Sequence, residues 1–178
     1  MCCFITVTLP RQTNMNRLVP IVNKYNFSFA PLENSHLMSQ LPEGTLYFRA
    51  TREYCDCRTA LGSKCAPIDY PSEINYLRAI GWNQANINSF MESKTKFKTE
   101  SQQENGEEIN RWLGLVQDIL EDHDVAYIGI LKHQYRGALQ TEQFTIKEAI
   151  TYNIGNIDKE FLLHIENDIL YQLTSWQV

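Results

Sequence analysis

Hydrophobic residues along the chain follow the period of strands in some segments and the period of helices in others. Residues 2–9 are rich in β-branched and aromatic side chains and end at a proline, which is typical of a buried strand. Residues 44–51 have the same character and 125–131 form a continuous apolar run, so each predicts a strand. The short runs 144–147 and 149–152 predict further strands near the C-terminus.

Apolar residues that recur at steps of three and four predict the helices. The clearest case is 107–122, in which one face is apolar and the other is charged. Gly81 is placed to end one helix, and Asn83 and Asp158 are placed to cap the starts of two others. The first of five predicted helices begins near Leu18, which places Pro20 in its first turn. The second spans 72–80, the third begins at Asn83, the fourth spans 107–122, and the fifth runs from Asp158 to Leu173.

Together these elements predict an α+β or α/β fold, with a small sheet of about four strands covered by about five helices. The length of 178 residues suits a single globular domain, 1–178, and buries roughly 70% of the surface of the unfolded chain. Residues 99–106 are the most polar segment. We expect them to form a mobile connection between two helices.

Charge and composition narrow the classes of function. The chain has 16 Lys and Arg against 21 Asp and Glu, a formal net charge of −5. An acidic surface repels phosphate backbones and anionic lipids, so we expect neither nucleic acid nor membrane as a partner. No segment has the length and apolar character of a secretory signal or a membrane span, which predicts a cytoplasmic protein.

The cysteines form the most unusual local pattern. Five cysteines in a chain without an export signal predict thiols rather than a disulfide framework. Cys55 and Cys57, separated by one residue, can both reach one soft metal ion, and Cys65 or the N-terminal Cys2 and Cys3 can complete a tetrahedral set. The pattern therefore predicts zinc as a cofactor, with Cys2, Cys55, Cys57 and Cys65 as its ligands. Paired zinc ligands usually have two to four residues between them. The alternative is that these residues are structural thiols and that the protein has no cofactor.

Cys2 has a second interpretation. Removal of Met1 would leave a cysteine whose own α-amino group is a base for its thiol, as in N-terminal cysteine hydrolases. Such enzymes usually have a glycine soon after the nucleophile, whereas in this chain Cys3 follows Cys2. The zinc site and the hydrolase are two forms of one hypothesis, a thiol-centred protein.

Two motifs also resemble a known family. The opening Met-Cys-x-Phe-Ile, together with Cys-Asp-Cys-x-Thr-x-Leu-Gly over 55–62, resembles a set of uncharacterised bacterial proteins. The similarity extends through Gly81 and Trp82 to the end of the chain, so it covers most of the protein. This resemblance implies a bacterial origin and no particular activity. The family has a glycine after the second cysteine, whereas this chain has Arg58, so the loop departs from the family there.

A nucleic-acid-binding motif is a third hypothesis. The helices predicted over 72–80 and from Asn83, joined through Gly81, have the lengths and the turn glycine of a helix-turn-helix. The second helix offers polar and acidic residues such as Gln84 and Glu92 where phosphate binding needs a basic face. The acidic chain therefore does not favour this function.

Catalytic motifs are absent from the sequence. It contains no phosphate-binding glycine loop, no nucleophile elbow and no zinc-protease helix, so we expect a binding protein rather than an enzyme. His133 follows a predicted core strand, a position from which enzymes often present acids and bases. We interpret it as a structural histidine.

The acidic face of the helix over 107–122 predicts a protein-binding surface. Carboxylates on a rigid helix speed encounter with a cationic partner, and an exposed aromatic residue provides a binding hot spot. We expect a bacterial immunity or inhibitor protein that binds and neutralises a basic toxin or effector. The partner-binding residues that this hypothesis predicts are Glu107, Asp118, Glu121, Asp122 and Trp176.

Overall fold

The protein has a mixed α+β fold with one open six-stranded sheet. The computed structural model describes residues 2–50, 55–57, 59–62, 70–121 and 125–175. Its elements in chain order are β1 (Cys2–Leu9), α1 (Met15–Lys24), β2 (Ala30–Pro31), α2 (Ser35–Met38), β3 (Leu46–Arg49), α3 (Tyr70–Ala79), α4 (Gln84–Glu121), β4 (Ile128–Tyr135), β5 (Glu148–Asn153), a 3₁₀ turn (Ile154–Asn156), α5 (Lys159–Leu163) and β6 (Ile169–Thr174).

The strands are arranged in the order β2-β3-β1-β4-β6-β5. All neighbouring strands are antiparallel except β5 and β6, which are parallel. β1 is central and pairs with β4 from Cys2 to Thr8, but it pairs with β3 only from Thr6 to Leu9. The N-terminal half of β1 therefore has one edge that no described strand covers.

The two faces of the sheet are covered by different parts of the chain. The larger core joins Ile5, Val7 and Leu9 to the apolar stripe of α4, which includes Trp112 and Val116, and to α1 and α5. On the opposite face, a smaller cluster is covered by α2 and by the segment before β5. Its buried members are Leu32, Leu37, Leu41, Tyr47, Leu131 and Leu170.

Helix α4 is longer than the sequence pattern predicts. It runs without interruption over 38 residues, through 99–106, where the sequence predicted a connection between two helices. Residues 92–106 contain no proline, and most of them are Lys, Glu, Gln or other residues that a helix accommodates well. Despite this length, no helix in the described part of the chain is apolar enough over a sufficient span to cross a membrane.

The C-terminal region differs most from expectation. The prediction of one helix from Asp158 to Leu173 is wrong: α5 ends at Leu163, and the chain then forms β6 between β4 and β5. The predicted cap is correct, since the Phe161 N–H donates to Asp158 Oδ1 at 2.8 Å. Asp168, with φ of +67°, turns the chain just before β6.

Smaller differences concern element boundaries near the N-terminus. α1 begins at Met15, with Asn14 as its cap, so Pro20 lies inside the helix rather than in its first turn. Residues 30–31 and 35–38 form β2 and the short helix α2 in a segment without a clear pattern. The predicted strand at 144–147 is irregular chain, and β5 begins at Glu148.

Candidate metal centre

A short loop covers the edge of β1 that β3 leaves open. The Asp56 N–H donates to the Cys3 carbonyl oxygen at 2.7 Å, and the Ile5 N–H donates to Asp56 Oδ2, also at 2.7 Å. The Cys3 N–H donates to Cys57 Sγ at 3.1 Å. The loop therefore supplies the partners that a neighbouring strand would give, and one of those partners is a cysteine sulfur.

The side chains of Cys2, Cys55 and Cys57 converge beside this loop. One sulfur from each lies within 4.8 Å of the other two. Cys2 and Cys57 are exposed and Cys55 is half-buried, so the cluster faces solvent. Tetrahedral zinc with Zn–S bonds of about 2.3 Å holds its sulfurs about 3.8 Å apart. Small side-chain rotations would therefore bring all three thiolates onto one ion.

In the absence of a cation, the surroundings of Cys57 favour its protonated thiol over the thiolate. Burial raises the pKa of Cys57 above its usual value, the Cys3 N–H acts in the opposite direction, and the neighbouring Cys55 and Cys2 raise this pKa further. Three thiolates at this distance repel one another. A divalent ion removes that repulsion and favours the ionised form, so metal binding releases protons.

The loop is anchored to the rest of the fold on its far side. The Thr59 hydroxyl and N–H both donate to the Asp56 carbonyl oxygen at 3.0 Å. Ala60 and Leu61 are buried in the larger core, and the Ala60 N–H donates to Glu108 Oε2 of α4 at 2.9 Å. The cysteines of the loop are thus held between β1 and α4.

Close packing inside the loop requires a glycine at position 62. A Cβ atom on Gly62 would lie 1.8 Å from the carbonyl oxygen and 2.5 Å from the carbonyl carbon of Asp56. These backbone atoms belong to the residue between the two loop cysteines. The Cys-Asp-Cys arrangement and the glycine that follows it are therefore one structural unit.

The remaining cysteines do not join this cluster in the described residues. Cys3 is 1% exposed, and its sulfur takes part in a disulfide, which corrects the expectation that all the cysteines are thiols. Alternation along β1 directs Cys3 to the opposite face from Cys2. Cys65, the fourth ligand in the sequence-based set, lies outside the described residues.

The predicted partner-binding residues that the structure describes differ in their surroundings. Glu107 and Glu121 are exposed on α4. Asp118 is only 28% exposed, and its Oδ2 lies 2.6 Å from Lys24 Nζ of α1. Lys24 and Tyr25 lower the pKa of Asp118 by hydrogen bonding, with Lys24 the larger cause, while burial opposes the shift. Two further predicted residues, Asp122 and Trp176, lie outside the described residues.

The helices of the predicted helix-turn-helix are present as α3 and the start of α4. Gly81 ends α3 with φ of +89°, and the Asn83 side chain accepts the Asn86 N–H at the start of α4. The exposed residues that follow include Asn86, Asn88 and Glu92. These side chains cannot neutralise phosphates.

A second polar cluster, which the sequence did not predict, surrounds His133 on β4. His133 Nδ1 lies 2.5 Å from Asp168 Oδ1, and Nε2 faces Glu142 Oε1 at 3.5 Å. The ring stacks on Phe144 at 3.6 Å between centroids, and Lys147 Nζ lies 3.0 Å from Asp168 Oδ2. With 12% of its side chain exposed, His133 connects β4 to the turn before β6 and to the segment before β5. Its partners are distant in sequence, so local spacing could not reveal them.

Comparison of the chain with models of known protein families, with curated proteins and with solved structures finds no significant match. The site is therefore interpreted from its own geometry.

Proposed function

We propose that this protein binds a thiophilic divalent metal ion, with zinc as the first candidate, through Cys2, Cys55 and Cys57. The observation that carries this proposal is the convergence of three thiol sulfurs within 4.8 Å of one another. Thiolates select zinc, copper(I) and iron–sulfur clusters over hard ions such as magnesium and calcium. Three cysteines fill three positions of a tetrahedral ion, and the fourth position is available to water or another ligand.

The hydrogen bond at Cys57 supports a metal-binding role for this thiol. A backbone N–H directed at the sulfur, 3.1 Å from Cys3 N, stabilises a thiolate and orients it. Such contacts outside the ligand set commonly fix metal ligands in place. The neighbouring Asp56 is 4% exposed and holds the loop on β1. An ion at this position would join the start of β1 to the loop and stabilise the fold.

The experiment is zinc binding to the full chain, followed by native mass spectrometry and competition with a chromophoric chelator. The protein must carry no polyhistidine tag and no N-terminal extension, because Cys2 lies at the start of the chain. We expect about one zinc per chain. Replacement of Cys2, Cys55 and Cys57 by serine should lower the zinc affinity by at least about 100-fold.

A matched control separates this site from incidental metal binding. His36 is another metal-binding residue type, it lies on α2, and its side chain is outside the cysteine cluster. His36→Gln should leave zinc affinity unchanged within about two-fold. Equal zinc binding by the triple serine variant and the wild-type chain would exclude the proposed ligands.

A second candidate is the immunity or inhibitor protein that binds a basic effector. Its support is the exposure of Glu107 and Glu121 on one side of α4, with apolar Tyr76, Ile80 and Trp82 exposed on α3 and the turn after it. Carboxylates on a rigid helix suit a cationic protein partner, and exposed aromatic residues are common hot spots of protein interfaces. Asp118 contributes less to such a surface, because Lys24 neutralises it.

This candidate is tested by charge reversal once a basic partner has been purified from the source cells at low salt. Glu107→Lys with Glu121→Lys should slow association by about ten-fold at low ionic strength and by much less at high salt. Glu148→Lys, on exposed β5, is the control. If the control slows association equally, the surface on α4 is not the binding site.

A further inference from the structure

We infer that the cysteine cluster is a redox-controlled site, in which a disulfide between Cys57 and Cys2 forms on oxidation and expels the bound ion. This inference rests on the proposed function and adds its regulation. Two of the three thiols in the cluster are exposed, and the third is half-buried. A small oxidant therefore reaches the sulfurs directly.

The geometry assigns Cys57 the central role. All three sulfurs lie within 4.8 Å of one another, and that of Cys57 also accepts the backbone N–H of Cys3, the residue next to Cys2. Formation of the bond, about 2.05 Å long, requires the two sulfurs to approach each other by rotation of their side chains. A bond between Cys55 and Cys57 would close a ring with a single intervening residue, whereas Cys2 approaches Cys57 from a different element. The disulfide between β1 and the loop is therefore the favoured product.

The oxidant is a hydroperoxide, for which hydrogen peroxide is the probe. The Cys57 thiolate attacks one peroxide oxygen, the O–O bond breaks, and the products are a sulfenic acid on Cys57 and, after protonation, water. The Cys2 thiolate then attacks the sulfenic sulfur, the S–S bond forms as the S–O bond breaks, and the hydroxide that leaves takes a proton from solvent to become a second water. Two electrons pass from the two sulfurs to the peroxide.

Loss of the metal follows from the number of ligands. A disulfide sulfur does not act as a thiolate ligand, so the reaction removes two of the three thiolates and leaves Cys55 alone. One thiolate cannot retain the ion against a chelator. A dithiol reductant restores both thiolates, which makes the release reversible.

The experiment uses the full chain loaded with one equivalent of zinc and treated with a few equivalents of hydrogen peroxide. A chromophoric chelator records free zinc, and mass spectrometry of the tryptic digest records the cross-link. Trypsin places Cys2 in a peptide that ends at Arg11, and both Cys55 and Cys57 in a peptide that ends at Arg58. Fragmentation of the linked peptides therefore assigns the bond to Cys57 or to Cys55. We expect release of about one equivalent of zinc together with a new Cys2–Cys57 bond. After reduction with dithiothreitol and addition of fresh zinc, the protein should bind about one equivalent of zinc again.

The variant Cys2→Ser provides the sharpest comparison, because it keeps Cys55 and Cys57 while removing the second partner. In Cys2→Ser, peroxide should produce no cross-link between the peptide that ends at Arg11 and the peptide that ends at Arg58. The inference is overturned if wild-type protein holds its zinc through peroxide treatment, or releases it with sulfinic acids and no Cys2–Cys57 bond. Failure to bind zinc at all would instead overturn the proposed function.

Discussion

Gly62 is the residue on which the shape of the cysteine loop depends most directly. A methyl group there would lie 1.8 Å from the carbonyl oxygen of Asp56, and a backbone atom cannot move aside as a flexible side chain does. We expect Gly62→Ala to destabilise the protein by about 1–3 kcal/mol or more, as overpacking does. It should also lower zinc affinity at least about ten-fold, because Asp56 and Cys57 would leave the edge of β1.

Gly106 on α4 is the matched control for this substitution. A Cβ atom there would meet no heavy atom within 4 Å, and the residue is exposed in a helix. Gly106→Ala should therefore stabilise the protein by up to about 1 kcal/mol and leave zinc affinity unchanged. Urea unfolding and zinc competition measure both effects. Similar behaviour of the two variants would contradict the tight packing of the loop.

At the residue scale, the sequence could indicate candidate metal ligands but not how their side chains meet. Residue type and the Cys-Asp-Cys spacing indicate Cys2, Cys55, Cys57 and Cys65, and the structure brings the sulfurs of the first three together. The contact between Cys57 and the N–H of Cys3 joins residues 54 positions apart. It depends on where β3 stops pairing with β1, and no local pattern contains that information.

Among the elements, β4, β6 and the segment before β5 are joined by the cluster around His133. Asp168 bridges His133 and Lys147 at the turn into β6. Burial alone would raise the pKa of Asp168, but hydrogen bonds and charge from His133 and Lys147 hold this pKa below its usual value. A lowered pKa means that the folded state favours the ionised carboxylate, and that this contribution is lost on acidification.

Asp168→Asn tests this contribution without changing the turn, because asparagine also tolerates the positive φ of this position. The charged contacts are present above the ordinary carboxyl pKa of about 4 and disappear as pH falls through the lowered pKa. We expect the variant to be about 1–3 kcal/mol less stable at pH 7. Its stability should fall less than that of the wild-type chain between pH 7 and pH 3, as measured by urea unfolding.

Glu148→Gln on exposed β5 serves as the control for the general effect of removing a carboxylate. It should change stability at pH 7 by less than about 0.5 kcal/mol. If Asp168→Asn and the wild-type chain lose equal stability between pH 7 and pH 3, the carboxylate does not contribute as described.

The elements could be predicted where periodicity is strong and local. The N-terminal strand, the helix caps at Asn83 and Asp158, and the apolar stripe of α4 follow from spacing. The strand β6 could not be predicted, because Ile165, Ile169 and Leu173 have helical spacing as well as a strand-like composition. This segment forms a strand because it pairs with β4 on one side and β5 on the other, and such pairing is a property of the whole sheet.

For the whole molecule, metal binding and folding should be linked. An ion held by Cys2 on β1 and by Cys55 and Cys57 on the loop requires both to be in place. A ligand that binds only the folded state, at 100 times its dissociation constant, stabilises it by about 2.7 kcal/mol. We expect zinc to raise the unfolding temperature of the wild-type chain by several degrees and to have no effect on the triple serine variant.

Calorimetry at fixed protein concentration, with and without zinc, measures this linkage. His36→Gln should retain the full zinc-dependent rise. A rise that persists in the triple serine variant would place the stabilising ion elsewhere on the protein.

The central claim, that three thiolates hold one metal ion, is tested most directly by X-ray absorption at the zinc edge of the loaded, reduced protein. The account predicts about three sulfur atoms at about 2.3 Å from zinc, with any fourth ligand closer, near 2.0–2.2 Å if it is oxygen or nitrogen. Cys57→Ser should remove one sulfur from this shell. A shell composed of nitrogen and oxygen alone would contradict the account and leave the cysteine cluster without a metal-binding role.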